Sequence, residues 1–205
     1  MTPTIHLHAS DLPEGLDLGP VVAIDTEAMG LNPHRDRLCL VQLSSGDGTC
    51  HLVQIPQGPV KAPRLAALLE DKNVLKLFHF ARFDVAILQH NLGVRCAPVY
   101  CTKIASKLTR TFIDRQGLKD LCRDLLGVDI SKTQQSSDWG QKTLTPEQQL
   151  YAATDVLHLH ALKEKLDALL AREGRVALAR ACFDFLPTCA ELDIVGFEGL
   201  ALFSH

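Results

Sequence analysis

Val21-Val22-Ala23-Ile24-Asp25-Thr26-Glu27 decides the fold of this 205-residue chain. Four apolar residues open it and read as a buried strand, which ends in two carboxylates one residue apart. Side chains alternate along a strand, so Asp25 and Glu27 share a face and Thr26 turns away from them. Two adjacent carboxylates raise each other's pKa unless a cation lies between them. A hard divalent ion suits that place, because it prefers oxygen ligands and leaves room for phosphate oxygens. A strand that stops in an acidic, solvated turn is the plainer alternative. The pair needs partners.

Working outward, Met29-Gly30-Leu31-Asn32-Pro33 is a turn-rich connection, and Leu38 to Leu43 is a second strand. Ser45-Gly46-Asp47-Gly48 is a turn leading into a third strand, Thr49 to Ile55, which completes an antiparallel meander. Residues 1–20 read as a short lead-in. Arg64 to Glu70 reads as a short helix and Val74 to Phe78 as a fourth strand. From Asp84 the apolar spacing turns helical, with Val85, Leu88 and Leu92 on one face and Gly93 as the stop. Val99 to Thr102 is a short fifth strand. Beyond it the pattern is mostly helical, over Lys103 to Leu108 and Leu118 to Leu126, with Gly127 as a cap. Ser131 to Gly140 is a polar loop. Thr145-Pro146-Glu147-Gln148 is a capping box with proline at the first helical position, opening a helix that runs to about Arg172. A further helix follows, and the tail 184–205 reads as apolar and irregular. The pattern predicts an α/β fold with a five-stranded mixed sheet flanked by helices, as a single domain over 1–205.

Composition narrows the partners. A net charge of -3 offers no global positive field for a long polyanion. The seven cysteines form no CxxC pair and several sit in apolar runs, which points to buried free thiols in a reducing compartment. No basic leader and no membrane-length apolar run is visible, so the expectation is a cytoplasmic protein with no membrane partner.

The acidic pair finds partners further along. Asp84 lies at a strand–helix junction, and Tyr151-Ala152-Ala153-Thr154-Asp155 places a phenol and a carboxylate on one helix face. If Asp25, Glu27, Asp84 and Asp155 converge, they can hold two divalent ions about 3.5–4 Å apart, the spacing used for in-line displacement at phosphorus. Tyr151 would then orient the attacking water or help take its proton. Singly, Asp84 could be a helix N-cap and Asp155 an exposed helix carboxylate.

Asp25-Thr26-Glu27, Phe83-Asp84 preceded by His79, and Tyr151 four residues ahead of Asp155 resemble, in order and context, the DEDD 3′–5′ exonucleases. The tyrosine marks the subtype to which ribonuclease D belongs. Phe80 departs from the pattern, since many relatives have asparagine there. The stretches 33–39, 101–110 and 135–139, with Ala181-Cys182-Phe183-Asp184-Phe185-Leu186-Pro187, are similar to the nanoRNase C group. The resemblance covers nearly the whole chain. It implies an RNase H-like fold, two Mg2+ or Mn2+ ions per site, and cleavage of very short RNAs, dinucleotides above all, to mononucleotides. It also implies a homo-octamer, with the tail 184–205 in subunit packing.

The candidate substrate contacts are Thr26, Leu31, His79, Arg82, Lys132, Gln135 and Ser137. Leu31 would wedge between two bases, or else pack on the core as an ordinary loop residue. His79 and Arg82 would bind a terminal 5′-phosphate, though His79 also fits a hydrogen-bonded strand end. Lys132, Gln135 and Ser137 would touch phosphate or ribose, unless their loop is simply solvated. Trp139 either stacks a base or anchors its loop. His158 and His160 lie on different helix faces, which argues against a paired metal site. Two other functions remain open: a general 3′–5′ exonuclease acting on longer RNA ends or DNA, and a catalytically silent nucleic-acid-binding module. A dinucleotide offers one or two phosphates, so a few local cations would suffice for it, whereas long strands usually meet basic domains.

Overall fold

A computed structural model describes residues 3–131, 133–197 and 201–203. The strand that opens the argument is β2 (Val21–Ala28), and it lies inside a six-stranded sheet. The other strands are β1 (Thr4–Ala9), β3 (Leu38–Ser44), β4 (Thr49–Gln54), β5 (Leu75–Phe78) and β6 (Val99–Cys101), in the order β1-β4-β3-β2-β5-β6. The meander β2–β3–β4 is antiparallel, as the turn chemistry predicts, while β1 joins β4, β5 joins β2 and β6 joins β5 in parallel.

The sheet has six strands rather than the five predicted, because the lead-in Thr4-Ile5-His6-Leu7-His8-Ala9 is itself an edge strand. Its apolar content is thin, and no residue in it is fully buried. Such a strand is held by ladder hydrogen bonds to β4 more than by apolar burial, so the hydrophobic signal is weak. By contrast, every residue of β3 is buried, which makes it the spine of the core.

Seven helices surround the sheet among the described residues: α1 (Pro63–Glu70), α2 (Ala81–Leu92), α3 (Thr102–Thr109), α4 (Leu118–Leu121, continued by a π-helical turn over Cys122–Leu126), α5 (Pro146–Leu157), α6 (Leu159–Arg172) and α7 (Val176–Ile194). Three boundaries differ from expectation. Helix α2 begins at Ala81, so Asp84 sits inside its first turn and Phe80, not Asp84, is the N-cap. The helix expected over 146–172 breaks at His158 into α5 and α6. The tail is not irregular at its start, since α7 continues through Pro187 to Ile194. Proline removes one N–H and crowds the preceding turn. Here α7 packs along α2, and Pro187 itself is buried.

Two contacts position the site. Helix α5 lies across β2, β3 and β4, and α2 follows directly from β5, the parallel neighbour of β2. Both helices therefore bring their side chains to the C-terminal end of β2. All seven cysteines are free thiols, and every one but Cys182 is buried, as expected. No helix of the described residues is long and apolar enough to cross a membrane.

Candidate active site

Asp25 and Glu27 leave β2 on the same face, where the ladder to β3 shifts register between Glu27 and Ala28. That irregularity ends regular pairing beside the carboxylates and frees the strand end to open a cleft. Asp25 pairs with Gln42 of β3, and the buried Gln42 amide donates to Asp25 Oδ2 at 3.3 Å. Asp155, from α5, meets them: one carboxylate oxygen from each of Asp25, Glu27 and Asp155 lies within 4.8 Å of the others. Asp84 approaches from the first turn of α2 and is almost wholly buried. Thr26 donates its hydroxyl to Asp84 Oδ1 at 2.7 Å, which fixes the carboxylate that strand alternation alone would leave unsupported.

The electrostatics of this cluster are unbalanced. Burial, followed by the charges of Asp84, Asp155 and Glu27, pushes Asp25 well above the ordinary carboxylate range. Burial and then Asp155 and Asp84 push Glu27 up to about 9, and burial lifts Asp84 to about 7 against the opposing hydrogen bond from Thr26. Tyr151 is also raised, first by burial and then by Asp155, Glu27 and Asp25, and its hydroxyl is hydrogen-bonded to Asp155. The joint rise of Asp25, Glu27 and Asp84 marks a site built for positive charge. Oxygen-only donors of this density fit a hard divalent cation such as Mg2+ or Mn2+.

The cluster floors a cleft of about 490 Å³. Leu31, Gln135 and Ser137 line it together with Phe80, Phe83 and Trp139. Leu31 is 85% exposed at the rim, on a turn that Asp36 ties down by accepting from the Asn32 amide at 2.9 Å. A Cβ on Gly30 would lie 2.2 Å from Asp36 Oδ2, so a larger residue here would displace the carboxylate that ties down the turn. A second cavity of about 520 Å³ adjoins the first, sharing Leu31, Phe80 and Phe83 with it.

Of the residues expected to touch substrate, Leu31, Gln135, Ser137 and Thr26 share the main cleft, although the Thr26 hydroxyl is committed to Asp84. Arg82 lies in the second cavity, where its guanidinium grips Asp193 of α7 through two 2.6 Å bonds. His79 makes a 2.9 Å hydrogen bond through Nδ1 with the Thr102 hydroxyl. Lys132 lies outside the described residues. Trp139 is buried beside Tyr151, with ring centres 6.0 Å apart, which favours the loop-anchor alternative. His160 turns away from the site and bonds Val21 O at 3.0 Å.

Sequence reasoning placed Gln148 in its capping box but missed its hold on Ser137 and Asp138, and it missed Gln42 and the pairing of Thr26 with Asp84. A lone glutamine in the apolar run Leu40-Val41-Gln42-Leu43 was a legible hint, since a buried amide needs a partner. Phe80 departs from the family pattern in sequence. It is 52% exposed between the two cavities, with Lys103 Nζ 4.2 Å from its ring centre.

The geometry has a family counterpart. The pattern of the 3′–5′ exonuclease family matches residues 4–171. This chain belongs to that family. The 3′–5′ exonuclease relatives include ribonuclease D of Gluconacetobacter diazotrophicus, 37% identical over 163 residues, or 80% of this chain and 41% of the relative. The chain thus spans about two-fifths of the length of the ribonuclease D sequences it matches. Among solved structures, Brucella melitensis NrnC is 55% identical with a TM-score of 0.95 over 98% of each chain. A structure of that protein bound to pGG superposes equally well (54% identical, TM-score 0.95, 99% of each chain). Another holds Mg2+ (54% identical, TM-score 0.94, 98% of this chain and 99% of that one). With its six-stranded sheet flanked by helices, this exonuclease chain shares the RNase H-like α/β architecture.

Proposed function

We propose that this chain is a metal-dependent 3′–5′ exoribonuclease that degrades very short RNAs, dinucleotides first, to nucleoside monophosphates. The observation that carries the reading is the convergence of Asp25, Glu27 and Asp155, with Asp84 and Tyr151 beside them, at the floor of a cleft of about 490 Å³. Asp25, Glu27, Asp84 and Asp155 would hold the divalent ions. When bound, such ions supply the Lewis-acid charge that readies a water and offsets the charge of the leaving 3′-oxygen. Tyr151 stands where its hydroxyl can orient that water. Thr26 and Gln42 keep Asp84 and Asp25 aimed into the cleft.

The short substrate is supported by the size of the cleft, by the exposed Leu31 where a wedge between two bases would stand, and by the pGG complex of the similar NrnC. In this reading Arg82 meets a terminal phosphate in competition with Asp193, and Gln135 and Ser137 touch the sugar-phosphate backbone. The likeness to ribonuclease D favours a second reading, the same chemistry on longer RNA ends. Assembly into a homo-octamer belongs to the first reading. Apolar side chains exposed at the C-terminal end, among them Phe185, Val195 and Phe197, support a subunit contact there.

The test is a length series of 5′-labelled RNAs, from two to about twenty nucleotides, with Mg2+ or Mn2+ and Asp25→Ala as the blank. Fastest loss of the dimer supports the dinucleotide reading, and similar rates at all lengths support the second. Near-normal turnover by Asp25→Ala would sink the metal assignment altogether.

A further inference from the structure

A second cluster of ligating side chains lies on the other face of the sheet. His6 and His8 project from one face of β1, two residues apart, and His6 stands opposite His51 of β4. His51 pairs with Leu43, which pairs with Ile24, so this row lies on the face opposite Asp25 and Gln42. The three rings form a compact group. His6 and His51 have ring centres 5.1 Å apart, His8 and His51 5.2 Å, and His6 and His8 6.4 Å. His8 Nε2 and His51 Nδ1 share a 2.9 Å hydrogen bond.

We propose that His6, His8 and His51 bind a transition-metal dication, Zn2+ foremost, and that the ion ties the edge strand β1 to β4. Three imidazoles are a recognised ligand set for zinc, and they leave a fourth position for water. Metal binding needs neutral imidazole. Burial, followed by the charge of neighbouring histidines, lowers the pKa of His8 and of His51, and only Asp47 opposes this at His51.

The movement required is small for one pair and larger for the third ring. Two nitrogens on a tetrahedral zinc, each at about 2.0–2.1 Å, stand about 3.3 Å apart. The His8–His51 pair already lies 2.9 Å apart. Its nitrogens must turn their lone pairs from each other onto the ion, and the proton between them moves to the other nitrogen of its ring. His6 is exposed and must rotate its ring to bring a nitrogen into reach. In return β1, which buries little, gains a cross-strand bond.

The decisive experiment is calorimetric titration of Zn2+ into the full, chelator-stripped chain in an Asp25→Ala background, which weakens metal uptake at the acidic cluster. One Zn2+ per chain is expected, with an accompanying rise in thermal midpoint. Adding His8→Asn or His51→Asn should abolish uptake, while His6→Asn should weaken it by about tenfold. Circular dichroism shows whether each variant is folded. Co2+ serves as a second probe, whose visible bands in the histidine-intact chain should vanish in His8→Asn while no thiolate charge-transfer band is seen. No Zn2+ uptake by the histidine-intact chain, or equal uptake by the His8→Asn and His51→Asn variants, would overturn the site. Neither result touches the exonuclease assignment.

Discussion

Gln148 does two jobs that an isosteric change can separate. It is the third residue of α5 and closes the capping box, with its Oε1 accepting from the Thr145 amide at 2.9 Å and also from the Gln141 side chain. Its Nε2 donates to Ser137 Oγ at 3.0 Å and to the Asp138 carbonyl at 3.2 Å. The first set starts the helix that carries Tyr151 and Asp155, and the second latches onto it the loop that carries Trp139 and lines the cleft. Gln148→Ala removes every one of these bonds at a site 2% exposed. At about 1 kcal/mol net for each bond, it should cost about 3–4 kcal/mol of stability. Gln148→Glu keeps the acceptor for Thr145 but sets an oxygen against the Asp138 carbonyl, so the helix cap survives and the latch does not. Its stability loss should be smaller, about 1–3 kcal/mol. Its catalytic loss should still be large, because Tyr151 leans on Trp139, and a misplacement of about 1 Å costs about 100-fold. The assay pairs thermal melts with steady-state hydrolysis of a labelled dinucleotide, at a temperature where both variants are folded. The expected signature is a fall in kcat of about 10–100-fold for Gln148→Glu with a much smaller change in KM. Wild-type kcat in a folded Gln148→Glu would refute the latch.

Three other outcomes follow from the same geometry. Tyr151→Phe should slow cleavage far more than it weakens substrate binding, and an unchanged single-turnover rate would remove the hydroxyl from the reaction. In the metal-free protein Glu27 titrates near 9 and Asp84 near 7, well above their unfolded values, so the folded state holds more protons between about pH 4 and 9. Its stability should therefore fall as pH rises through that window, and saturating Mg2+ should flatten the profile; melts with and without metal across this range decide it. Lys76 is fully buried, with its ammonium held by the Asp71 and Ala97 carbonyls at 2.7 and 2.6 Å. Lys76→Met should cost about 2–4 kcal/mol by orphaning both acceptors. Burial lowers the folded pKa of Lys76, so wild type should gain stability relative to Lys76→Met as pH rises toward about 10.5, where the unfolded lysine also loses its proton.

How much of this was legible depended on whether the responsible force was local. Val21 to Ile24 must be a strand whatever surrounds it, and alternation then commits Asp25 and Glu27 to one face. The capping box at Thr145 is equally local, and it fixes where α5 starts and so where Tyr151 and Asp155 point. The misreadings have the opposite character. Thr4 to Ala9 becomes a strand only because β4 offers it a ladder, and α7 passes through Pro187 only because α2 packs along it. The break at His158 leaves no proline or glycine signal, since His158 itself closes α5 and opens α6.

The same division runs through the site. Its four carboxylates could be chosen from spacing and resemblance, but the groups that aim them could not. Thr26 reads as the residue facing the wrong way, and it is, for Asp25 and Glu27. That orientation is what lets its hydroxyl reach Asp84, 58 residues further along the chain. A strand end that presents carboxylates on one face and a carboxylate-holding hydroxyl on the other uses both sides of the pleat. Thr26→Val, nearly the same shape without the hydroxyl, tests that division of labour. It should leave the fold intact, remove the side-chain hydrogen bond that, with two backbone hydrogen bonds, lowers the pKa of Asp84, and raise the Mg2+ concentration needed for half-maximal cleavage. An unaltered metal requirement in that variant would mean that the packing of α2, and not Thr26, holds Asp84 in place.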